Sequence, residues 1–194
     1  MRIIAGILRS RSLEAPTGLA TRPTSDRLRE TLFNVVAPRL EGVAFLDLFA
    51  GSGAVGIEAL SRGAGRVVFV ERAPEALRVL RSNLERLGLS TGFSIQSGSV
   101  GAYLRKAPSE FHPFHVVFID PPYDAAEEYA ATLGSLGGDS AGWLAEGALV
   151  IAEHRRKHHL EDQYGSLERT RLLRQGDSAL SFYTSIPSDS PELR

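Results

Sequence analysis

Apolar positions follow two different periods along this chain, and the switch between them lays out the elements. From residue 43 onward, strand-like segments predict five strands: "VAFLDLF", which is buried, then "RVVFVE", "FSIQS", "FHVVFID" and "ALVIAEH". Between them lie segments with helical spacing. "GAVGIEALSRG" is closed by Gly63, and "APEALRVLRSNLERLG" carries a stripe at Leu77, Leu80, Leu84 and Leu87, with Pro74 in its first turn and Gly88 at its end. "VGAYLRKA" predicts a short helix, and a further helix is expected over Ala125 to Leu136. "LERTRLLRQ" and "ALSFYTSI" predict two last strands, an antiparallel pair closing the sheet edge. Strands alternating with helices indicate an α/β protein with a doubly wound, mostly parallel seven-stranded sheet of Rossmann-like type.

The first forty residues break this pattern. "MRIIAGILRSRSLEAP" has short apolar stretches interrupted by Gly6 and by arginine–serine pairs, which suits a hairpin or an irregular strand pair. "TRPTSDRLRETLFNVVAPRL" places Leu28, Leu32, Val35 and Val36 at helical spacing, with Asp26 near the start and Pro38 at the end. The expected division is an N-terminal extension over 1–40, a main domain over 41–186, and a disordered tail over 187–194.

Composition narrows the chemistry. The 194 residues contain no cysteine, which excludes disulfides, cysteine nucleophiles and thiolate metal sites. No segment approaches the length of a membrane span, and the apolar run at the N-terminus is too short for a signal peptide, so a soluble cytoplasmic protein is expected. The formal net charge is −1, yet residues 1–39 hold seven arginines against Glu14, Asp26 and Glu30, a local net of +4. An electropositive arm beside a near-neutral domain fits a polyanionic partner.

"FLDLFAGSGAVG" contains G-x-G-x-x-G at Gly51, Gly53 and Gly56, and Glu71 follows where a ribose-binding carboxylate is expected. A dinucleotide site would seat a pyrophosphate on the following helix. Asp47 in the strand end opposes that, because a carboxylate repels a pyrophosphate and attracts a sulfonium or an ammonium. S-adenosylmethionine carries both cations and no phosphate. The glycines alone leave the two cofactors level, and Asp47 favours S-adenosylmethionine.

The second motif, "VVFIDPPYD", puts Asp120, Pro121, Pro122 and Tyr123 at the end of the fourth strand. Two prolines can continue neither a sheet ladder nor a helix, so the chain turns there with fixed φ. The Asp120 carboxylate and Pro121 carbonyl could hold the hydrogens of an exocyclic amine while the Tyr123 ring stacks on its base. These residues form the candidate catalytic set.

"LDLFAGSGAVGIEALSRGA", Glu71, "NLERLGL" and "DPPY" together resemble an amino-methylating, S-adenosylmethionine-dependent methyltransferase. "RIIAG", "LEAPTGLATRPTSDRLRETLFN" and "WLAEGALVIAEH" resemble more narrowly the RsmD-type family, which methylates N2 of one guanine in small-subunit (16S) ribosomal RNA. The resemblance implies a cofactor-binding set of Asp47, Phe49, Gly51, Ser52, Gly53, Glu71, Arg72, Ser99, Val100 and Asp120. Ser99 stands where such enzymes commonly have Asp or Asn beside the adenine, and Val100 offers apolar contact there. Arg9, Arg11, Arg22, Thr24, Arg27 and Arg29 are the expected RNA contacts, the segment around Arg22 and Arg27 bordering the active site. The expected partner is ribosomal RNA, free or within a small ribosomal subunit, and a monomer suffices.

Other features are read more plainly. "EHRRKHH" has His154 and His158 at i, i+4 but lacks a convincing third metal ligand, so a basic patch facing solvent or RNA is expected there. Asn83 is read as a helix-to-loop tether, Trp143 as core, and His112 and His115 as structural. Competing functions are amino-methylation of DNA adenine or a protein glutamine, nicotinamide-dependent reduction through the literal glycine motif, and RNA binding without catalysis.

Overall fold

In the computed structural model the described residues are 1–15, 26–106, 113–122 and 125–185. Eight strands form one sheet in the order β3-β2-β1-β4-β5-β8-β7-β6. They are β1 (Ala44–Leu48), β2 (Arg66–Glu71), β3 (Phe93–Ser97), β4 (Phe114–Ile119), β5 (Leu144–Arg155), β6 (Gln163–Tyr164), β7 (Leu167–Gln175) and β8 (Ser178–Ser185). The first five pair in parallel; β8 pairs antiparallel with β5, β7 antiparallel with β8, and β6 antiparallel with β7. The helices are α1 (Asp26–Val36), α2 (Ala54–Ser61), α3 (Pro74–Arg86), α4 (Val100–Leu104) and α5 (Ala126–Gly137).

The seven strands expected from the sequence are all present. The eighth, β6, is only two residues long, too short to leave a period-2 signature. Strand β5 starts at Leu144, ahead of the apolar run "ALVIAEH". Its pairing with β4 shifts register between Phe114 and Val116, and the extra residues include exposed Glu146 and Gly147. An irregular, half-exposed strand start of this kind carries no continuous apolar signal.

Two apolar cores cover the two sheet faces. One contains Phe45, Val67, Phe69, Val116 and Ile151 beneath Leu28, Leu32 and Phe33 of α1, Ile57 of α2, and Leu80 and Leu84 of α3. The other contains Leu46, Leu48, Val68, Val117 and Val150 beneath Leu104 of α4, Leu133 and Leu136 of α5, and Trp143. The Trp143 indole donates to the Leu104 carbonyl at 3.1 Å and lies between Tyr103 and Phe114. Its core role was readable from the sequence.

The N-terminal segment lies on the α2–α3 face. Its hairpin character reduces to an isolated antiparallel bridge between Arg2 and Ser12, with Ile3 and Leu13 in the core. Much of its hold comes from polar groups on the helices. Glu58 of α2, fully buried, accepts from Ile4 N at 2.8 Å and Ala5 N at 3.0 Å. Ser61 donates to Ala5 O and accepts from Leu8 N, while Asn83 of α3 accepts from Glu14 N at 2.8 Å and donates to Glu14 O. The expected tail at 187–194 lies outside the described residues.

Candidate active site

Strand order reverses between β1 and β4, because the chain steps from β1 outward to β3 and then returns to β4. Ligands of open α/β sheets sit outside the carboxyl ends of the strands at such a point. Backbone bonds tie these ends together: Asp120 N to Leu48 O at 3.4 Å, Ala50 N to Val70 O at 3.0 Å, and Gly98 N to Glu71 O at 2.9 Å. Asp47, Glu71 and Asp120 are therefore held at neighbouring strand tips, as the sequence implied.

The loop leaving β1 is conformationally demanding. Phe49 has φ 63°, followed by Gly51 at 56° and Gly53 at 78°. A left-handed phenylalanine is strained, and such strain persists only where surrounding structure imposes it. Glu71 supplies part of that constraint. Its Oε2 accepts from Gly51 N at 2.8 Å, and its Oε1 accepts from Arg72 N at 2.8 Å and Ala73 N at 2.7 Å. The third motif glycine serves packing: a Cβ on Gly56 would lie 2.3 Å from the Phe69 ring, so only glycine lets α2 sit this close to β2.

Asp47 does something the sequence did not reveal. It is 2% exposed, and its Oδ2 accepts from Gly56 N at 2.8 Å in the first turn of α2. The helix head that a dinucleotide enzyme would offer to a pyrophosphate is thus capped from within by the protein's own carboxyl group. Burial pushes the Asp47 acid up to about 8; the Gly56 bond opposes this, and the neighbouring Glu71 charge adds to it. The folded protein therefore holds a proton that the unfolded chain releases near pH ~4. Stability from this group is full below that range and falls as pH rises through about 8. We expect Asp47→Asn, which keeps an acceptor for Gly56, to flatten the decline in melting temperature between about pH 4 and about 8. A decline as steep as the parent's would show that Asp47 is not the titrating group.

Asp120 is half-buried, Pro121 buried and Pro122 exposed. The Pro122 carbonyl accepts from Ala125 N at 2.9 Å, joining the corner to the start of α5. Among the described residues no donor is bonded to the Pro121 carbonyl, which leaves it available as an acceptor. Tyr123 lies outside the described residues. Ser99 is exposed and caps α4, its Oγ accepting from Ala102 N at 3.2 Å, and Val100 is buried beside it. Half-buried Ser52 gives its carbonyl to Asn83 Nδ2 at 3.0 Å, so the tether expected at Asn83 joins the glycine loop to α3 and to Glu14. Arg72, exposed, approaches Glu128 of α5 at 3.7 Å.

The arginines divide. Arg9, Arg11 and Arg27 are exposed, Arg11 donating to the Arg86 carbonyl at the end of α3. Arg22 and Thr24 lie outside the described residues. Arg29, expected to contact RNA, is 0% exposed: it pairs with Asp26 at 2.9 Å and Glu58 at 3.7 Å and donates to Arg2 O. A guanidinium closed off from solvent cannot reach a phosphate, so its role is structural. The basic-patch reading of residues 153–159 also fails at His154, which is buried, bonded through Nε2 to Ser181 Oγ at 2.9 Å, and packed near Tyr129 and His158. Among the described residues, no group of three His, Cys, Asp or Glu could hold a metal ion, and no helix is long and apolar enough to cross a membrane.

The reversed strand order, the strained glycine loop and the acidic strand tips belong to the class I, Rossmann-like methyltransferase fold. Solved structures agree: yhhF from Escherichia coli superposes with a TM-score of 0.83 at 32% identity, over 95% of this chain and 97% of that one. A Thermus thermophilus protein gives 0.78 at 34% identity, over 94% and 98%. The chain belongs to the RsmD-type methyltransferase family: the family model described as "Conserved hypothetical protein 95" matches residues 1–184. Ribosomal RNA small subunit methyltransferase D of Escherichia coli (strain K12) is 39% identical over 155 residues, which is 79% of this chain and 74% of that protein. YlbH of Bacillus subtilis (strain 168) is 37% identical over 183 residues, 94% of this chain and 98% of its own.

Proposed function

We propose that this protein transfers a methyl group from S-adenosylmethionine to the exocyclic N2 amine of a guanine in small-subunit ribosomal RNA. The observation that carries the cofactor reading is the charge of the crevice. Asp47 lies close enough to Glu71 for the Glu71 charge to add to the burial that keeps the Asp47 acid protonated. With the head of α2 capped by Asp47, a pyrophosphate would find that N-terminus already taken and the Glu71 carboxylate nearby, whereas a bound sulfonium and ammonium would favour release of the Asp47 proton and pair with the acids. The donor set therefore fits S-adenosylmethionine and not a nicotinamide dinucleotide. Glu71, at the tip of β2, would take the ribose hydroxyls. Phe49, Gly51, Ser52 and Gly53 would border the amino-acid part, and Arg72, Ser99 and Val100 the adenine side.

When bound, S-adenosylmethionine supplies a methyl group on a positively charged sulphur. The chain's part is to present the amine. The guanine amine is a poor nucleophile because its lone pair is delocalised into the purine. Acceptors at Asp120 and Pro121 would hold its two hydrogens and turn the lone pair toward the methyl, with Tyr123 stacked on the base. Positioning of this kind contributes about 7–11 kcal/mol in favourable cases, and the Asp120 carboxylate stabilises positive charge growing on nitrogen. Unstacking the target base costs a few kcal/mol, which phosphate contacts from Arg9, Arg11, Arg22 and Arg27, with Thr24 beside them, would offset.

The substrate class follows from family membership, since a relative bears the name ribosomal RNA small subunit methyltransferase D. Mass analysis of small-subunit RNA from cells lacking the protein should reveal one guanine short of a methyl group, restored by the purified protein with labelled cofactor. Label appearing in DNA or protein fractions instead would transfer the assignment to another amine.

A further inference from the structure

Among the described residues, Ile7 is the one large apolar side chain left in solvent, at 85% exposure. A lone exposed apolar residue is ordinarily unremarked. Ile7 differs because its backbone is bolted in place. Ile7 N donates to Ser61 O at 2.8 Å, Leu8 N to Ser61 Oγ at 3.0 Å, and Ser61 Oγ to Ala5 O at 2.6 Å. Gly6 is pressed so tightly on Ser61 that a Cβ there would lie 1.8 Å from its carbonyl oxygen. On the far side, Ser10 is held at φ 68° with its N–H on Ile3 O at 2.9 Å. Leu8, the next residue, packs on the core while Ile7 points away from it. The loop is rigid, and its tip is apolar.

The charge around the tip selects the partner. Residues 1–13 hold Arg2, Arg9 and Arg11 and no acidic residue, and all three arginines are exposed. A protein-docking site would be expected to gather several apolar side chains with charge excluded from its centre. A single exposed aliphatic side chain on a segment whose charged residues are all exposed arginines matches instead the wedge that nucleic-acid-binding proteins insert between base steps, with arginines on the flanking phosphates. We propose that Ile7 is such a wedge, inserted between stacked bases of the RNA at a distance from the Asp120 corner. This deepens the ribosomal-RNA reading above and rests on it. A pre-formed wedge loses little conformational entropy on insertion, which is the advantage of bolting its backbone to α2.

An apolar wedge and a phosphate contact respond differently to salt. The test measures affinity for protein-free small-subunit RNA, from cells lacking the protein, across a salt series. Parent, Ile7→Ala, Ile7→Phe and Arg9→Ala are compared, each first checked for unchanged melting temperature and cofactor affinity. Ile7→Ala should weaken binding roughly five- to tenfold at every salt concentration, with the salt slope unchanged. Ile7→Phe should restore it, whereas Arg9→Ala should lower the slope by about one. If parent and Ile7→Ala bind this RNA equally, the wedge is refuted while the methyltransferase reading stands. A deficit seen only with assembled small subunits would refute it in favour of a protein contact. A parent without affinity for the protein-free RNA refutes the wedge, and methylation of assembled small subunits then decides the methyltransferase reading.

Discussion

Asp120→Ala should lower kcat for RNA methylation by about 10²–10³ while S-adenosylmethionine still binds. The half-buried carboxylate stands at the switch point with its own N–H on Leu48 O. Its proposed work is done on the amine in the transition state, so kcat and kcat/KM should fall together. Asp120→Asn refines the test. The amide keeps one acceptor oxygen but replaces the other with a donor that opposes an amine hydrogen, so most of the loss should remain. Rapid-quench measurement of a single turnover separates this chemical effect from product release. Methylation at the parent rate by Asp120→Ala would remove Asp120 from catalysis.

Glu58→Ala should produce the largest loss of stability from a single substitution. Fully buried Glu58 accepts from two backbone N–H groups, pairs with Arg62 at 2.7 Å and lies 3.7 Å from buried Arg29. Burial already pulls the Arg29 guanidinium below its ordinary value, and the Glu58 charge is the first influence opposing that fall. Removing one member of a buried pair leaves the other uncompensated, at about 3–5 kcal/mol. At roughly 2–4 °C per kcal/mol for a protein of this size, the melting temperature should drop by roughly 6–20 °C. Double substitution with Arg29→Met should recover part of that drop, because the stranded cation is then gone. An unchanged melting temperature in Glu58→Ala would show that solvent replaces the carboxylate without penalty.

What was legible in the sequence follows from which forces act locally. The parallel core announces itself because strands buried on both faces must be largely apolar, as "VAFLDLF" and "FHVVFID" are apart from Asp47, His115 and Asp120. Glycine and proline announce the site, since backbone shape at Gly51, Gly53 and Pro121 depends on the residue itself. Charged residues mislead because their environment is set by distant segments. Arg29 looked like part of an electropositive arm, yet it shares a helical face with Leu32, Phe33 and Val36, at i+3, i+4 and i+7, and all four are buried. That phase was available to read. Glu58 had a similar signal as a lone acid within apolar "GAVGIEALS", but its partners, Ile4 and Ala5, lie more than fifty residues away. His154 followed an apolar run and preceded arginines, so it read as the start of a surface patch; the strand runs on through Arg155 and keeps it inside.

The opening residues look like an appendage in one dimension and behave as an inner wall in three. A chain trimmed of residues 1–15 would bare Ser61 and Asn83 together, each a polar group otherwise enclosed with its bonds made. It would also uncover the apolar surface beneath Ile3 and Leu13. The contacts of residues 1–15 with α2, α3 and the core cross the boundary drawn after residue 40.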